Sequence, residues 1–275
     1  PSLNRLSRRR CWASLIPCWE RIKPDCKPKA PASRPYCLCR FVGVLSLYNA
    51  GNLTVSSTET NSQNCIGGIA GVNCSNISRC NNIGTIIFSN SYNSSRSGGI
   101  AGLNYDNGTI SGCQNSGPIS AISVSGSSLI TNAGGIVGEN DGYVSYCAND
   151  GYVEASSTNY LCYAGGVAGT NNWEIQCSYN LGNIDSMSSS PYYLDYAGGV
   201  AGTSKGTVKN CYNAGSITGF RGGGIIGDNA AAVSEVYNVG DIATRQPTSY
   251  QAVIGGIAGN NAARITNAYY ANSTP

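Results

Sequence analysis

A five-residue motif recurs seven times along the chain: two glycines, a β-branched residue, a small or aliphatic residue, and a third glycine. The copies start at Gly67, Gly98, Gly134, Gly165, Gly198, Gly223 and Gly255, at intervals of 31, 36, 31, 33, 25 and 32 residues. Self-similarity at such a period restricts a chain to a solenoid, a propeller or an array of small units. Inside each copy the aliphatic residues fall in three columns. The first is Ile69, Ile100, Ile136, Val167, Val200, Ile225 and Ile257; the second is Ile77, Ile110, Val144, Ile175, Val208, Val233 and Ile265; the third is Ile86, Ile119, Val153, Ile184, Ile217 and Ile242. All are β-branched, which suits extended backbone. Cys211, Asn213, Gly215 and Ile217 alternate with period two and share one face, whereas the spacing of three from Val208 to Cys211 marks a corner. Each copy thus reads as three short strands separated by bends. A propeller blade would need four antiparallel strands in the same length and would show no columns in register. The expectation is an all-β, parallel (right-handed) β-helix of about eight rungs, three short strands per rung, with its hand taken from the general crossover preference. A single rung cannot bury its own apolar side, so each depends on its neighbours.

The most regular feature is N-x-G, at Asn49/Gly51, Asn82/Gly84, Asn115/Gly117, Asn149/Gly151, Asn180/Gly182, Asn213/Gly215 and Asn238/Gly240. Period-two parity with Cys211 and Ile217 turns these asparagines inward. Stacked amides can then bond from rung to rung, which predicts a buried structural ladder of Asn82, Asn115, Asn149, Asn180, Asn213 and Asn238 rather than a ligand-binding row. The glycine is expected to supply a positive φ at the turn. A second column holds Cys80, Cys113, Cys147 and Cys211, replaced elsewhere by Ser178, Val236, Ala268 and Leu47. Exchange with Val and Ala predicts small buried side chains. Neighbours on parallel strands have Cβ vectors unsuited to a disulfide. The state of Cys65, Cys74, Cys162 and Cys177 stays open.

The sequences GGIAG (67–71), GGVAG (198–202) and GTVKNCYNAGSIT (206–218) resemble the GLUG repeat, and the resemblance extends over about residues 45–275. That repeat occurs in bacterial surface and secreted proteins, including adhesin-like proteins and the non-catalytic part of IgA-peptidase-type proteins. The resemblance implies an extracellular or cell-surface setting and a structural or adhesive role. It transfers no catalytic residue.

Residues 1–44 are different material. Ten of the 17 Lys and Arg and six of the ten Pro lie in residues 1–42, against two acids, Glu20 and Asp25; residues 43–275 carry seven basic residues and twelve acids. The net charge of +3 therefore joins two unlike parts and does not argue for nucleic-acid binding. The apolar run after Arg8-Arg9-Arg10 is short and broken by Pro17, unlike a signal peptide. Cys11, Cys18, Cys26, Cys37 and Cys39 match no zinc spacing. The repeat is entered in mid-rung at Leu47, so residues 1–44 are expected to be disordered or a reading-frame artefact.

Length varies at one corner, in segments 87–97, 120–133, 154–164, 185–197, 218–222 and 243–254, which read as loops aligned on one edge. They carry Tyr92, Tyr160, Tyr163, Tyr192, Tyr193, Tyr196 and Tyr250, side chains that either cover the ladder ends or offer flat faces to a host or environmental glycan or a surface protein. Open strand edges at the ends of such a stack also invite end-to-end self-association.

Histidine is absent, which excludes Ser-His and Cys-His nucleophiles and the H-E-x-x-H zinc site from this chain. No cofactor or metal site is expected. No apolar run approaches the roughly 20 residues of a membrane-spanning helix. A polysaccharide-active β-helix enzyme would need converging carboxylates. Asp185 and Asp195, in one segment, are the best pair in the sequence. The sequence therefore points to a non-catalytic structural or adhesive solenoid, with a polysaccharide lyase or hydrolase, or the non-catalytic arm of a large surface peptidase, as the alternatives.

Overall fold

The computed structural model describes residues 44–57, 64–90, 94–124, 130–158, 160–189, 195–245 and 252–271. The expectation for residues 1–44 lies, Val44 apart, outside them. Among the described residues every element is a strand and every strand pairing is parallel and in register with the equivalent strand one turn away. The fold is the expected parallel β-solenoid. Six complete turns are flanked by a partial turn on each side.

Each turn visits four sheets, named I to IV here in chain order. In the first complete turn, sheet I receives Asn64–Gly67, sheet II Ala70–Asn73, sheet III the pair Asn76–Ser78 and Asn81–Asn82, and sheet IV Ile86–Asn90. Sheets I, II and IV hold seven strands each and sheet III thirteen. The repeated motif forms the bend from sheet I to sheet II. Much of what the sequence marks as loop is strand: segment 87–97 contains most of Ile86–Asn90 and most of Ser95–Gly98.

The aliphatic columns fill two cores. The first and second columns pack together with Ala101, Val137, Ala168 and Ala201 between sheets II and III. The third column packs against Ala133, Ala164 and Ala197 between sheets I and IV. At about 25 cal/mol per Å² of apolar surface removed from water, these fully buried branched side chains supply the main driving force.

The asparagines of N-x-G form a single file at the junction of the two cores. Asn49 Nδ2 donates to Asn82 Oδ1 at 2.6 Å, and the chain continues through Asn115, Asn149, Asn180, Asn213 and Asn238 at 2.7–2.8 Å. The same Nδ2 also donates to the glycine carbonyl two residues on, as from Asn149 to Gly151 at 2.8 Å. All six interior asparagines are buried. The second glycine of the motif exists to admit them: a Cβ on Gly135 would lie 2.2 Å from Asn149 Cγ, whereas one on Gly134 would meet the Val137 carbonyl of the same bend.

The glycine of N-x-G does not serve the expected purpose. Its φ is not positive, and a Cβ on Gly117 would lie 2.1 Å from the Gly84 carbonyl oxygen one turn below. Close stacking of backbones, not a left-handed angle, excludes other residues there. The left-handed residues form another column: Ser46, Arg79, Gly112, Tyr146, Cys177, Asn210, Glu235 and Asn267, with φ of 48–60°. They are the corner predicted between Val208 and Cys211. The N–H of Arg79 donates across turns to the Ser111 carbonyl at 3.0 Å, a bond that offsets the cost of non-glycine residues in this region.

A second amide file was not foreseen. Asn73 donates to Asn104, Asn104 to Asn140 and Asn140 to Asn171 at 2.8–2.9 Å, Asn171 to Ser204 Oγ at 3.0 Å, and Asn229 to Asn261 at 2.7 Å. It closes the far end of sheet II. The cysteine column is buried as expected from Cys80 to Cys211, while Leu47, on the first partial turn, is exposed. All eight described cysteines are free. Burial pushes the Cys147 and Cys162 thiols up, and that of Cys211 to about 12, which leaves little reactive thiolate.

Candidate contact surface

The bend after the double glycine is sharp enough that the outward sides of sheets I and II face each other. The last glycine of the motif permits this: a Cβ on Gly138 would lie 2.6 Å from the Ser97 nitrogen, on sheet I one turn back. Outward residues of sheet I therefore meet outward residues of sheet II from the next turn. Arg96 forms an ion pair with Glu139, and Thr170 Oγ1 donates to Asn132 Oδ1 at 2.7 Å. Further along the same column stand Tyr163, Tyr196 and Arg221, in register on successive strands. The two tyrosine rings lie 5.4 Å apart, and the Arg221 guanidinium sits 5.4 Å from the Tyr196 ring centre. Arg221 also donates to Tyr196 Oη at 3.4 Å. Burial raises the pKa of both phenols, so they remain neutral donors at physiological pH.

Tyr163 and Tyr196 thus belong to strands, not to loops, and Tyr160 is half-buried beside them with its N–H donating to Ser157 Oγ at 3.1 Å. Tyr92, Tyr192, Tyr193 and Tyr250 lie outside the described residues. A different aromatic row was missed. Tyr179, Tyr212, Tyr237 and Tyr269 stand in register on the outside of sheet III. The first three rings stack, with centroids 4.9 and 5.6 Å apart. Their faces cover one another and their edges and hydroxyls point outward. The signal was in the sequence: Tyr48, Tyr179, Tyr212 and Tyr237 each immediately precede an N-x-G asparagine.

The carboxylate pair Asp185 and Asp195 does not converge. Asp185 is on the outward side of sheet IV, where it is paired with Arg245 and accepts from Tyr152 Oη at 3.3 Å. Asp195 is buried between sheets I and IV and accepts from the Phe220 N–H at 2.5 Å and the Ser188 N–H at 3.1 Å. The outward neighbour of Asp185 is instead Glu154, in register on the adjacent strand and accepting from Ser120 Oγ at 3.1 Å. Burial raises the Asp185 pKa, opposed by Arg245; the Tyr152 phenol is pushed to about 12 by burial and then by the two carboxylates.

Burial also pushes Asp195 up to about 6, against the lowering effect of its two N–H bonds. A folded-state pKa above the unfolded value means that the native state binds the proton more tightly. Its effect on stability is therefore most favourable below pH 4 and is lost as pH rises towards 6, a change on the order of 3 kcal/mol for a shift of this size. Asp195→Asn should flatten the stability profile between pH 4 and 7, read from urea midpoints at each pH; an unchanged slope would assign that titration elsewhere.

No family model matches this chain, and no curated protein matches it. Among solved structures it is similar to a chain described as a "putative immunoglobulin A1 protease" from Bacteroides ovatus, with a TM-score of 0.50 and 16% identity. The match covers 82% of this chain and 66% of that one, so this chain spans just under two thirds of its neighbour's length. At this identity the likeness concerns the fold, a β-solenoid in this chain.

Proposed function

We propose that this chain is a non-catalytic β-solenoid, a structural or adhesive element of a bacterial surface or secreted protein, whose outer side contacts a glycan or another protein. The observation that carries this reading is the use made of the buried polar groups. The amides of both files are spent on bonds between turns. Such a stack resists bending and proteolysis, the properties a spacer needs. The outward tyrosine row offers ring edges and hydroxyls, and the half-buried Tyr163 and Arg221 on either side of Tyr196 add a phenol and a guanidinium donor, a composition suited to sugars and to protein interfaces. The likeness in fold to a chain described as a "putative immunoglobulin A1 protease" is compatible with a non-catalytic arm of a larger surface peptidase, a variant of the same reading.

A polysaccharide-active enzyme is the second reading. It is favoured by one arrangement, Glu154 and Asp185 side by side on the outside of sheet IV with Tyr152 and Arg245 at hand. One experiment separates the two. Purified protein is screened on immobilised glycans and then incubated with neutral and uronate polysaccharides. Retention without release of reducing ends or unsaturated uronate supports the contact role. Turnover that disappears in Glu154→Gln and Asp185→Asn overturns it in favour of the enzyme.

A further inference from the structure

Between sheets I and IV the interior is not wholly apolar. Four buried hydroxyls, on Ser95, Ser97, Ser123 and Thr131, have no hydrogen-bond partner among the described residues, and each residue is at most 2% exposed. They belong to one neighbourhood. Ser95 and Thr131 are in register on adjacent strands of sheet I. Strand Ile119–Ser123 of sheet IV packs against both Ser95–Gly98 and Thr131–Gly134. Ser123 therefore lies opposite Ser95 and Thr131, and Ala121 opposite Ser97 and Ala133.

The same neighbourhood is short of side-chain volume. Phe88 and Ala121 occupy the same column on adjacent strands and both point inward. The strand register is fixed, so from Ala121 onward, through Ala155 and Ser186, the column holds small side chains where a phenyl ring stands one step below. The turns above share these small side chains but differ in their polar groups. Ser186 Oγ donates to the Cys162 carbonyl at 3.3 Å, Ser188 Oγ to the Tyr160 carbonyl at 2.9 Å, and Phe220 takes the column position of Asp195. Polar groups there find partners within the protein. The four hydroxyls around Ala121 do not, and a buried hydroxyl left dry and without a partner is destabilising. Apolar cavities stay dry, whereas polar ones with two to four partners bind water.

We propose that the space beside Ala121, enclosed by Ser95, Ser97, Ser123 and Thr131, is a binding site for ordered internal water, closed below by Phe88. The water molecules serve as donors and acceptors for the four hydroxyls. They make this turn a hydrated joint within the stack.

The sign of a substitution tests this. Thr131→Val removes a hydroxyl at constant shape. Where that hydroxyl holds water, Thr131→Val and Ser123→Ala each lower the melting temperature; where it is dry and unsatisfied, both raise it. Oxygen-17 relaxation dispersion of the solvent counts long-lived internal water independently. Wild type is expected to show at least two such molecules, and the double variant Ser123→Ala/Thr131→Val fewer. A raised melting temperature in both single variants, or the same dispersion amplitude in wild type and double variant, would overturn the proposal.

Discussion

Asn149→Ala is expected to be among the most damaging single substitutions in this protein. The side chain takes part in four contacts of the ladder. Nδ2 donates to the Gly151 carbonyl and to Asn180 Oδ1, and Oδ1 accepts from Asn115 Nδ2 and the Gly151 N–H. Alanine strands the Asn115 donor and the Asn180 acceptor in a fully buried file, with no route to solvent. At about 1–3 kcal/mol for each buried unsatisfied group, plus the cavity, the expected loss is roughly 3–5 kcal/mol. Asn149→Asp should be no better, since a carboxylate cannot donate to Asn180. Asn49→Ala removes the same side chain at the edge of the file, where water can reach the partners, and should cost under about 1 kcal/mol. Urea midpoints of the three variants measure the contrast. Equal losses at positions 49 and 149 would mean that burial of the ladder contributes little.

Gly166→Ala should match that effect by steric means. A Cβ there would lie 2.2 Å from the Gly199 carbonyl oxygen and 2.3 Å from Asn180 Cγ. One obstacle is backbone locked in a ladder and the other is an amide with bonds on both sides. Neither can withdraw, so the turns must separate or the amide file must break. Overpacking of this kind costs about 1–3 kcal/mol where neighbours can adjust, and the upper end or more where they cannot. Gly51→Ala is the control: its nearest atom would be Asn49 Oδ1 at 3.5 Å, an ordinary contact. Soluble yield and thermal midpoint distinguish the pair. A folded Gly166→Ala protein of wild-type stability would show that the second glycine is not required by the amides.

The sequence made the fold legible because its periodicity is enforced in three dimensions. Columns of Ile and Val at constant offsets become ladders only if equivalent strands pair one turn apart, and they do. The inward file of Asn82 to Asn238 followed from parity with Cys211 and Ile217. The second file was equally periodic, since Asn73, Asn104, Asn140, Asn171, Asn229 and Asn261 all stand six residues after the first glycine of their motifs. Its amides point inward at the end of sheet II, after an irregularity at the third glycine that parity alone does not reveal. The N-x-G glycine was misread because local turn chemistry suggested positive φ, while the real constraint is a carbonyl from another turn.

The candidate surface was less legible for a physical reason. Variable segment length suggested free loops, yet most of each described segment is strand, which places Tyr163 and Tyr196 in a packed column beside Arg221. The register that brings Glu154 beside Asp185 links residues 31 positions apart, whereas proximity in sequence drew attention to Asp195, on the opposite side of the sheet.

Every amide-to-amide bond in both files runs in the same sense, from the earlier turn to the later one. Polarity is therefore conserved along the stack, and each hydrogen bond polarises the next. Deleting one whole turn would present to Asn149 the acceptor of Asn213 in place of that of Asn180, an identical group in an identical orientation. Duplication would be equally silent. Recombination between repeats can then lengthen or shorten the stack stepwise without redesigning the amide ladder, while contacts particular to one turn, such as the Arg96–Glu139 pair, are lost or doubled.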